Sequence, residues 1–255
     1  MYATLSKKKA TYIRQLALKK YRLERASFVL EGKKSIQALL ASHYTIQCMV
    51  GTSSFFIENQ NIFTGLSKNI EIFEVPKEIL TQLGSLSTNH EVLAVATIPL
   101  PTEPCLSPLN ITLALDNIRD PGNLGTIIRI ADWYGIETIL CSRSTVELYN
   151  PKVLQASMGS FVKIKLHYVD LPRYLQNVKL PIIGAMIEGD HLHDFSFPTQ
   201  GVLVIGNESQ GIHATIKQMF THAIAIPRYG NAQSLNAAIA TAVVCDNWKR
   251  TLQKS

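Results

Sequence analysis

The chain of 255 residues contains only four cysteines, and none of them has the Cys-X-X-Cys spacing of zinc or redox sites. They are Cys48, Cys105, Cys141 and Cys245, spread over most of the sequence. Such scattered cysteines are typical of reduced thiols in a cytosolic protein, and they argue against a disulfide framework and against a zinc centre. We therefore expect a cytoplasmic protein.

Long apolar runs are missing as well. The basic amino-terminal residues are not followed by an apolar core of signal-peptide length, and no later run could cross a bilayer. The sequence also lacks a Walker loop and a Gly-X-Gly-X-X-Gly motif after a predicted strand, which argues against P-loop nucleotidases and Rossmann dehydrogenases. We expect a soluble α/β protein without a membrane partner.

Positive charge is concentrated near the amino terminus, where residues 7–34 contain ten Lys or Arg and only two Glu. The pattern over residues 6–25 predicts one basic, amphipathic helix. A polyanion such as RNA suits this charge, although a solvated helix face would carry the same residues. Tyr12 and Tyr21 in this segment are able either to stack on bases or to pack within the protein. The sequence leaves both questions open.

The chain divides into two predicted domains. Residues 1–98 alternate short strands and helices, and they contain no catalytic constellation. Residues 99–109 include four prolines and follow neither the helical nor the strand pattern of apolar residues, which is typical of a linker. Residues 110–255 alternate apolar strands with helices and predict a parallel sheet covered on both faces.

The most informative stretch starts with an apolar strand at residues 111–115 and continues into an Asp-Pro-Gly-Asn turn. A helix is predicted from Asn123, whose side chain would cap it, to the vicinity of Gly135. Gly125 and Arg129 are four residues apart and share one helix face, which leaves room for a ligand over the guanidinium. Arg129 is placed to hold an anion, unless it forms a surface salt bridge.

Two further polar loops follow predicted strands in the second half. Glu208 lies just beyond the apolar residues 201–205, between glycines that permit close backbone approach to a ligand. Ser234 is predicted to cap a long Ala-rich helix, and Asn236 lies two residues further on. Because ligands bind beyond the carboxyl ends of parallel strands, we expect these loops to meet the loop of Asn123 in one cleft.

A group of polar residues near position 190 has a composition that metals favour. It has no helical i, i+4 pair and no cysteine, so we predict a solvated loop and no metal site. The group consists of Glu188, Asp190, His191, His193 and Asp194.

Together, the three loops resemble the motifs of the SpoU (TrmH) family of RNA ribose 2′-O-methyltransferases, within the wider group of SPOUT methyltransferases. The resemblance covers the second half of the chain. The first half looks like the substrate-binding domain of ribosomal-protein-like fold that is often fused to it. The matching blocks are residues 117–125 with Arg129, residues 205–208 with Gly211, and residues 226–227 with residues 234–236.

This resemblance implies a fold, a cofactor and partners. The fold would be an α/β parallel-sheet SPOUT domain whose C-terminal segment forms a trefoil knot, an exception to the rule that chains avoid knots. The implied cofactor is S-adenosylmethionine, held by backbone groups of Gly206, Ile226 and Leu235. The implied substrate is transfer or ribosomal RNA. Members of the family act as homodimers with the site near the interface.

The family pattern also implies five active-site residues, Asn123, Arg129, Glu208, Ser234 and Asn236. Methyl transfer from a sulfonium mainly requires that the ribose hydroxyl be aligned and made nucleophilic. Since an arginine stays protonated near neutral pH, we assign Arg129 to the neighbouring phosphate and the developing alkoxide. The base is then a phosphate oxygen or water. We expect Glu208 to orient Arg129 or Asn123, and Ser234 and Asn236 to hold Arg129 by hydrogen bonds.

Two alternatives stay open. One is a non-catalytic RNA-binding protein with the same fold, although such a protein has no use for all five residues. The other is a SPOUT enzyme that methylates a base instead of a ribose.

Overall fold

A computed structural model describes residues 3–60, 70–85, 91–106 and 110–252. The chain divides into two units. The first consists of Met1–Leu100 and Tyr149–Val162, and the second of Pro101–Leu148 and Lys163–Ser255. The predicted second domain, residues 110–255, therefore contributes one internal segment to the first unit. The predicted domain boundaries remain a prediction.

The first unit contains a mixed four-stranded sheet. The central strand β4 is antiparallel to β1 and β2, and β3 is parallel to β2, in the order β1-β4-β2-β3. The strands β1 to β4 are Ser27–Glu31, Ile46–Gly51, Glu71–Glu74 and Val92–Thr97. The helices α1 to α5 are Lys7–Gln15, Lys19–Arg25, Lys33–Leu40, Ser53–Glu58 and Lys77–Leu83.

The basic amino-terminal segment forms two helices, so the prediction of one helix over residues 6–25 is wrong. Between α1 and α2 the chain bends, and Arg22 stabilises this bend from inside. Its Nη1 donates hydrogen bonds to the carbonyl oxygens of Leu16 at 2.8 Å and Ala17 at 2.7 Å. Carbonyl groups at a helix end need such partners. Arg22 is 2% exposed, so it does not contribute to the basic surface.

The rings of Tyr12 and Tyr21 pack against the guanidinium of Arg25. Its central carbon lies 4.7 Å and 4.9 Å from the two ring centroids. The Tyr12 hydroxyl oxygen lies within hydrogen-bond distance of Ser27 Oγ at 3.3 Å and of Gln47 Oε1 at 3.2 Å. Both tyrosines thus make packing contacts within the protein.

The second unit is built on a seven-stranded sheet in which all neighbours are parallel, as predicted. Its order is β7-β6-β5-β10-β8-β11-β9. The strands β5 to β11 are Ile111–Leu115, Thr138–Ser142, Lys165–Val169, Ile182–Met186, Asp190–His191, Gly201–Ile205 and His222–Ala225. The helices α6 to α10 are Pro121–Trp133, Pro151–Ser157, Leu171–Leu175, Ala214–Lys217 and Ala237–Leu252, of which α7 belongs to the first unit.

The segment Tyr149–Val162 packs against β1 through aromatic rings. The ring of Phe28 lies 4.7 Å from that of Tyr149 and 5.9 Å from that of Phe161, measured between centroids. Phe28 and Phe161 are buried. This packing places Phe161 in the first unit, ahead of the strand β7. The residues Ser160–Lys163 form a 3₁₀ turn, and the strand begins only at Lys165.

The predicted linker runs partly along the second unit. His167 Nδ1 lies 3.0 Å from the carbonyl oxygen of Thr102, and the Tyr174 hydroxyl donates to that of Pro104 at 3.3 Å. Residues 107–109 of this linker lie outside the described residues.

The middle strands of the second unit are buried along their whole length, as the apolar runs predict. All five residues of β5, β6 and β10 are buried. Leu171 and Ile216, from α8 and α9, pack with Ala114 and Val204 of the sheet. No helix among the described residues is long and apolar enough to cross a membrane. The trefoil knot stays a prediction.

Candidate active site

The three polar loops leave the same edge of the sheet. Leu115, at the end of β5, pairs with Ile205, at the end of β10, in a parallel register. The strand β8 lies next to β10, and β11 lies next to β8. The carboxyl ends of β5, β10 and β11 therefore lie at the same edge of the sheet, which is where parallel sheets bind their ligands.

Asn123 lies in the first turn of α6, but it does not cap the helix. Asp120 is the cap, and its Oδ1 accepts a hydrogen bond from the Asn123 backbone N–H at 2.8 Å. The prediction that Asn123 caps this helix is therefore wrong. Asp followed by Pro121 at the first helical position is a strong start signal that the sequence already contained. The Asn123 side chain is thus available for contacts outside its own helix.

The Asn123 amide joins the other two loops. Its Nδ2 donates to Glu208 Oε1, and its Oδ1 accepts a hydrogen bond from Asn236 Nδ2 at 2.7 Å. Asn123 is 9% exposed. Its partners are 85 and 113 residues away in the sequence. Both ends of one planar amide are therefore held by distant parts of the chain, and this confirms the expected meeting of the three loops.

Asn236 has a second role as the cap of α10. Its Oδ1 accepts hydrogen bonds from the backbone N–H groups of Ala238 at 2.9 Å and Ile239 at 3.3 Å. The predicted cap, Ser234, lies two residues too early and is exposed. Because Oδ1 faces the helix amides, Nδ2 of Asn236 is directed to Asn123. The cap thus sets the orientation of the amide that the site uses.

A further amide, that of Asn207, connects the first two loops, and the sequence marked it only as a motif position. Its Nδ2 donates to the Asn117 carbonyl oxygen at 2.9 Å, and its Oδ1 accepts from the N–H groups of Ser209 and Gln210, each at 3.0 Å. The backbone of Asn207 also pairs with Gly211 in both directions. An Asn before a glycine-containing turn is a local sequence signal for a turn. No local signal indicates that this Asn side chain would bond to Asn117 in the other loop.

The three predicted cofactor residues lie on the second and third loops. A Cβ atom on Gly206 would lie 2.5 Å from the Gly211 carbonyl carbon and 2.6 Å from Ile212 N, so only glycine fits there. Ile226 is half-buried and Leu235 is 47% exposed. Outside helices and strands, no backbone hydrogen bond of the described residues involves Gly206, Ile226 or Leu235. Their backbone groups are thus suited to a ligand with several donors and acceptors, such as an adenosine.

Arg129 lies on the exposed face of α6 and is not part of this network. No hydrogen bond or ion pair joins it to another of the described residues, so the expected bonds from Ser234 and Asn236 to Arg129 are wrong. The amide of Asn236 is instead used by Asn123 and by the helix cap. One turn beyond Arg129, the ring of Trp133 is 84% exposed.

The group near position 190 forms separate polar contacts. His191 Nδ1 lies 3.4 Å from Asp194 Oδ2, and His193 Nδ1 lies 3.2 Å from Asn247 Oδ1. Within the described ranges, no cluster of three or more His, Cys, Asp or Glu side chains is arranged to hold a metal ion.

Solved structures identify the class of this fold. A TrmH-family protein from Porphyromonas gingivalis is 32% identical, with a TM-score of 0.84 over 97% of this chain and 99% of that one. An AdoMet-bound rRNA methyltransferase from Sinorhizobium meliloti is 27% identical, with a TM-score of 0.84 over 99% of this chain and 98% of that one. The fold is that of the SPOUT methyltransferases, with an N-terminal substrate-binding domain.

The chain belongs to the SpoU rRNA Methylase family, whose family model matches residues 110–246. The model of the MRM3-like substrate binding domain matches residues 7–94. Among the relatives is the 23S rRNA (guanosine(2553)-2′-O)-methyltransferase RlmP of Bacillus subtilis. It is 26% identical over 235 residues, which cover 91% of this chain and 92% of the relative. The resemblance inferred from the three motifs is thereby confirmed.

Proposed function

We propose that this protein transfers the methyl group of S-adenosylmethionine to a ribose 2′-hydroxyl of ribosomal or transfer RNA. The observation that carries this proposal is the Asn123 amide, held between Glu208 and Asn236 at the carboxyl edge of the sheet. The named relative RlmP performs a 2′-O-methylation of 23S rRNA, and the relative from Sinorhizobium meliloti binds AdoMet. Both support the same reaction for this chain.

The cofactor supplies an electrophilic methyl group on a sulfonium. Backbone groups of Gly206, Ile226 and Leu235 would hold its adenosine part, since outside helices and strands none of them takes part in a backbone hydrogen bond among the described residues. Since the leaving thioether is neutral, the protein has no need to stabilise a departing charge. Its main task is to hold the ribose hydroxyl in line with the methyl group.

The Asn123 amide is the central positioning group for the ribose. One of its N–H bonds goes to Glu208, and its oxygen is used by Asn236. The second N–H bond is left to donate to the ribose oxygen, in an orientation that its two partners impose. Glu208 therefore orients Asn123 rather than Arg129. Ser234, at the exposed edge of the third loop, shapes the pocket.

Arg129 binds the phosphate next to the target ribose and stabilises the negative charge that develops on the hydroxyl oxygen. Its exposure and its lack of partners among the described residues leave the guanidinium free for this contact. The hydroxyl proton passes to a phosphate oxygen or to water, because a guanidinium does not accept it near neutral pH.

We further propose that the protein acts as a homodimer in the cytoplasm, and that α6 and α10 form the interface. These two helices contact each other, and each exposes a large apolar side chain, Trp133 at 84% and Ile239 at 53%. Large exposed apolar groups on neighbouring helices favour association. Arg129 lies one turn from Trp133, so it would lie close to the interface. A Trp133→Glu variant should sediment as a monomer, while an unchanged dimer would contradict this interface.

The function is tested by incubating the purified protein with S-adenosylmethionine and with ribosomal or transfer RNA from cells that lack its gene. Nucleoside mass spectrometry should then detect a nucleoside methylated at the ribose. A methylated base with unmodified ribose would instead identify a base methyltransferase. Calorimetry without any cofactor binding would favour the non-catalytic RNA-binding protein. Ribose methylation maps of cells with and without the gene would identify the nucleotide.

A further inference from the structure

A recess of about 620 Å³ opens in the second unit between the loops that follow β5 and β10 and the helices α8 and α9. This volume is within the range of small-molecule sites. None of the eight residues implied as catalytic or cofactor-binding lines it. Its polar lining residues include Asn117, Arg119, Ser144, Gln210, His213 and Lys217.

The hydrogen-bond acceptors of this recess are largely occupied by the protein itself. Asn117 Oδ1 accepts from Arg119 Nε at 2.9 Å, and Gln210 Oε1 accepts from Asn117 Nδ2 at 3.2 Å. The only carboxylate of the lining, Asp116, is 7% exposed, and its Oδ2 accepts from the His213 backbone N–H at 2.8 Å. A ligand in the recess therefore meets few free acceptors.

The groups that remain are mostly donors, and two of them are cationic. The terminal nitrogens of Arg119, the amide nitrogen of Gln210 and the ammonium of Lys217 are all left to a ligand. Arg119 and Lys217 are exposed, and no carboxylate in the described part of the chain forms an ion pair with either. An arginine and a lysine beside neutral donors are suited to phosphate oxygens.

The recess is linked to the candidate active site through Asn207. The Asn207 side chain donates to the Asn117 carbonyl oxygen at 2.9 Å. The next residue, Glu208, holds the Asn123 amide. A group bound at Asn117 and Arg119 would therefore lie next to the loop that holds the Asn123 amide, and the Arg119 guanidinium is itself oriented through Asn117.

We propose that this recess binds a phosphodiester group of the RNA strand that flanks the methylated nucleotide. Arg119 and Lys217 provide the charge, and Gln210 donates a further hydrogen bond. The proposal rests on the proposed function, because it assumes that RNA is the ligand of the neighbouring site. It adds a second phosphate contact to that of Arg129, on a separate surface of the same unit.

The test compares Arg119→Ala and Lys217→Ala with the wild-type protein. Fluorescence anisotropy with a labelled single-stranded RNA oligonucleotide measures the dissociation constant over a range of salt concentrations. Each variant should raise this constant about tenfold at low salt and reduce the slope of its logarithm against that of salt by about one. The dissociation constant of S-adenosylmethionine should stay unchanged. Methyl transfer, where it is seen, should show a raised KM for RNA.

The matched control is Lys179→Ala, which removes one exposed positive charge from the same unit outside the recess. It should change RNA binding much less than Lys217→Ala does. If Arg119→Ala is misfolded, Arg119→Lys keeps the charge but loses the planar fork, and it should recover only part of the affinity. Lys217→Ala tests the proposal independently, because this exposed side chain has no partner among the described residues.

RNA binding and salt dependence that are unchanged in both variants would overturn the proposal, even if the wild-type enzyme methylates RNA. Conversely, a wild-type protein that binds RNA without methylating it would contradict the proposed function but would leave the binding test intact. A third arm uses uridine monophosphate. If the variants lose affinity for this nucleotide while RNA binding is unchanged, the recess takes a free nucleotide and the assignment to RNA is wrong.

Discussion

Asn236 Nδ2 donates a hydrogen bond to Asn123 Oδ1 at 2.7 Å, while Asn236 Oδ1 caps the helix α10. One side chain thus joins helix stability to the geometry of the candidate site. These two contributions are separable by substitution, because they use different atoms of the amide.

An Asn236→Asp variant keeps the acceptor that caps α10 but loses the donor to Asn123. The helix cap of this variant should stay intact, because Asp caps helices as well as Asn does, while a carboxylate oxygen would then face Asn123 Oδ1 and repel it. Its kcat should fall at least tenfold, since the Asn123 amide is then no longer held from both sides. Calorimetric unfolding and single-turnover methyl transfer measure the two effects.

The control for this variant is Asn236→Ala, which removes both interactions. It should lower kcat similarly and, in addition, lower the free energy of unfolding by about 1 kcal/mol for the lost cap. If Asn236→Asp keeps full activity, the bond to Asn123 has no role in the reaction.

Arg129→Ala should abolish methyl transfer while S-adenosylmethionine still binds. Arg129 is exposed and has no partner among the described residues, so its loss should change the free energy of unfolding by less than about 0.5 kcal/mol. Arg129→Lys should recover little activity, because an ammonium does not reproduce the planar fork of a guanidinium. Isothermal titration of the cofactor is the decisive measurement, and a loss of cofactor binding would mean that Arg129 belongs to the cofactor site.

Gly206→Ala should weaken S-adenosylmethionine binding and lower stability. The added Cβ would lie 2.5 Å from the Gly211 carbonyl carbon, so the backbone of the second loop would have to move. The matched control is Gly230→Ala, where a Cβ has no atom within 4 Å and should leave stability nearly unchanged. Thermal unfolding with and without cofactor measures both variants. Equal behaviour of the two would show that the close approach at Gly206 is unimportant.

Phe161→Ala should lower the free energy of unfolding by about 4 kcal/mol, the usual cost of removing a buried aromatic side chain. Phe161 packs on Phe28 of the first unit, so hydrogen exchange should increase in β1 and α7. Tyr229→Ala is the control, since this ring is 91% exposed and its removal should cost little. Faster exchange confined to the second unit would contradict the assignment of Tyr149–Val162 to the first unit.

One thiol should react rapidly with an aromatic disulfide reagent at pH 8, and the other three slowly. Burial raises the pKa of Cys48 to about 11 and that of Cys245 to about 12, and it also raises the pKa of Cys141. These thiols remain protonated at pH 8, and only the thiolate attacks the reagent. Cys105 is exposed. Absorbance should show one fast equivalent in the native protein and four in guanidinium chloride. Two or more fast equivalents would contradict the buried positions.

The prediction of the parallel sheet was accurate because each apolar run is long enough to be a buried strand and is followed by a polar loop. The helix starts were less accurate. Asn123 and Ser234 were both predicted as caps, but the caps are Asp120 and Asn236. Several residues near a helix start have side chains that are able to cap it, and local propensity does not decide which one turns toward the helix.

The sequence predicted which residues belong to the candidate site, but not how their side chains are oriented or which hydrogen bonds they form. The resemblance to the SpoU family implied that Asn123, Glu208 and Asn236 belong to one site. Their hydrogen bonds were not predictable, because the orientation of Asn123 depends on two partners that the chain reaches only after folding. For the same reason Arg129 was expected in the network, although its helix face turns it to solvent.

Local patterns of residue type were thus sufficient for the parallel sheet and the polar strand ends, since period and spacing are properties of the linear chain, and the family followed from the resemblance of the three motifs to known ones. Contacts between distant residues decided the rest. They direct the Asn123 amide between two loops, they place Phe161 against Phe28, and they leave Arg119 and Lys217 without acidic partners among the described residues in a shared recess. Such arrangements depend on which side chains lie close enough after folding to compete for the same partner. The pattern of residue types along the chain does not show which side chains these are.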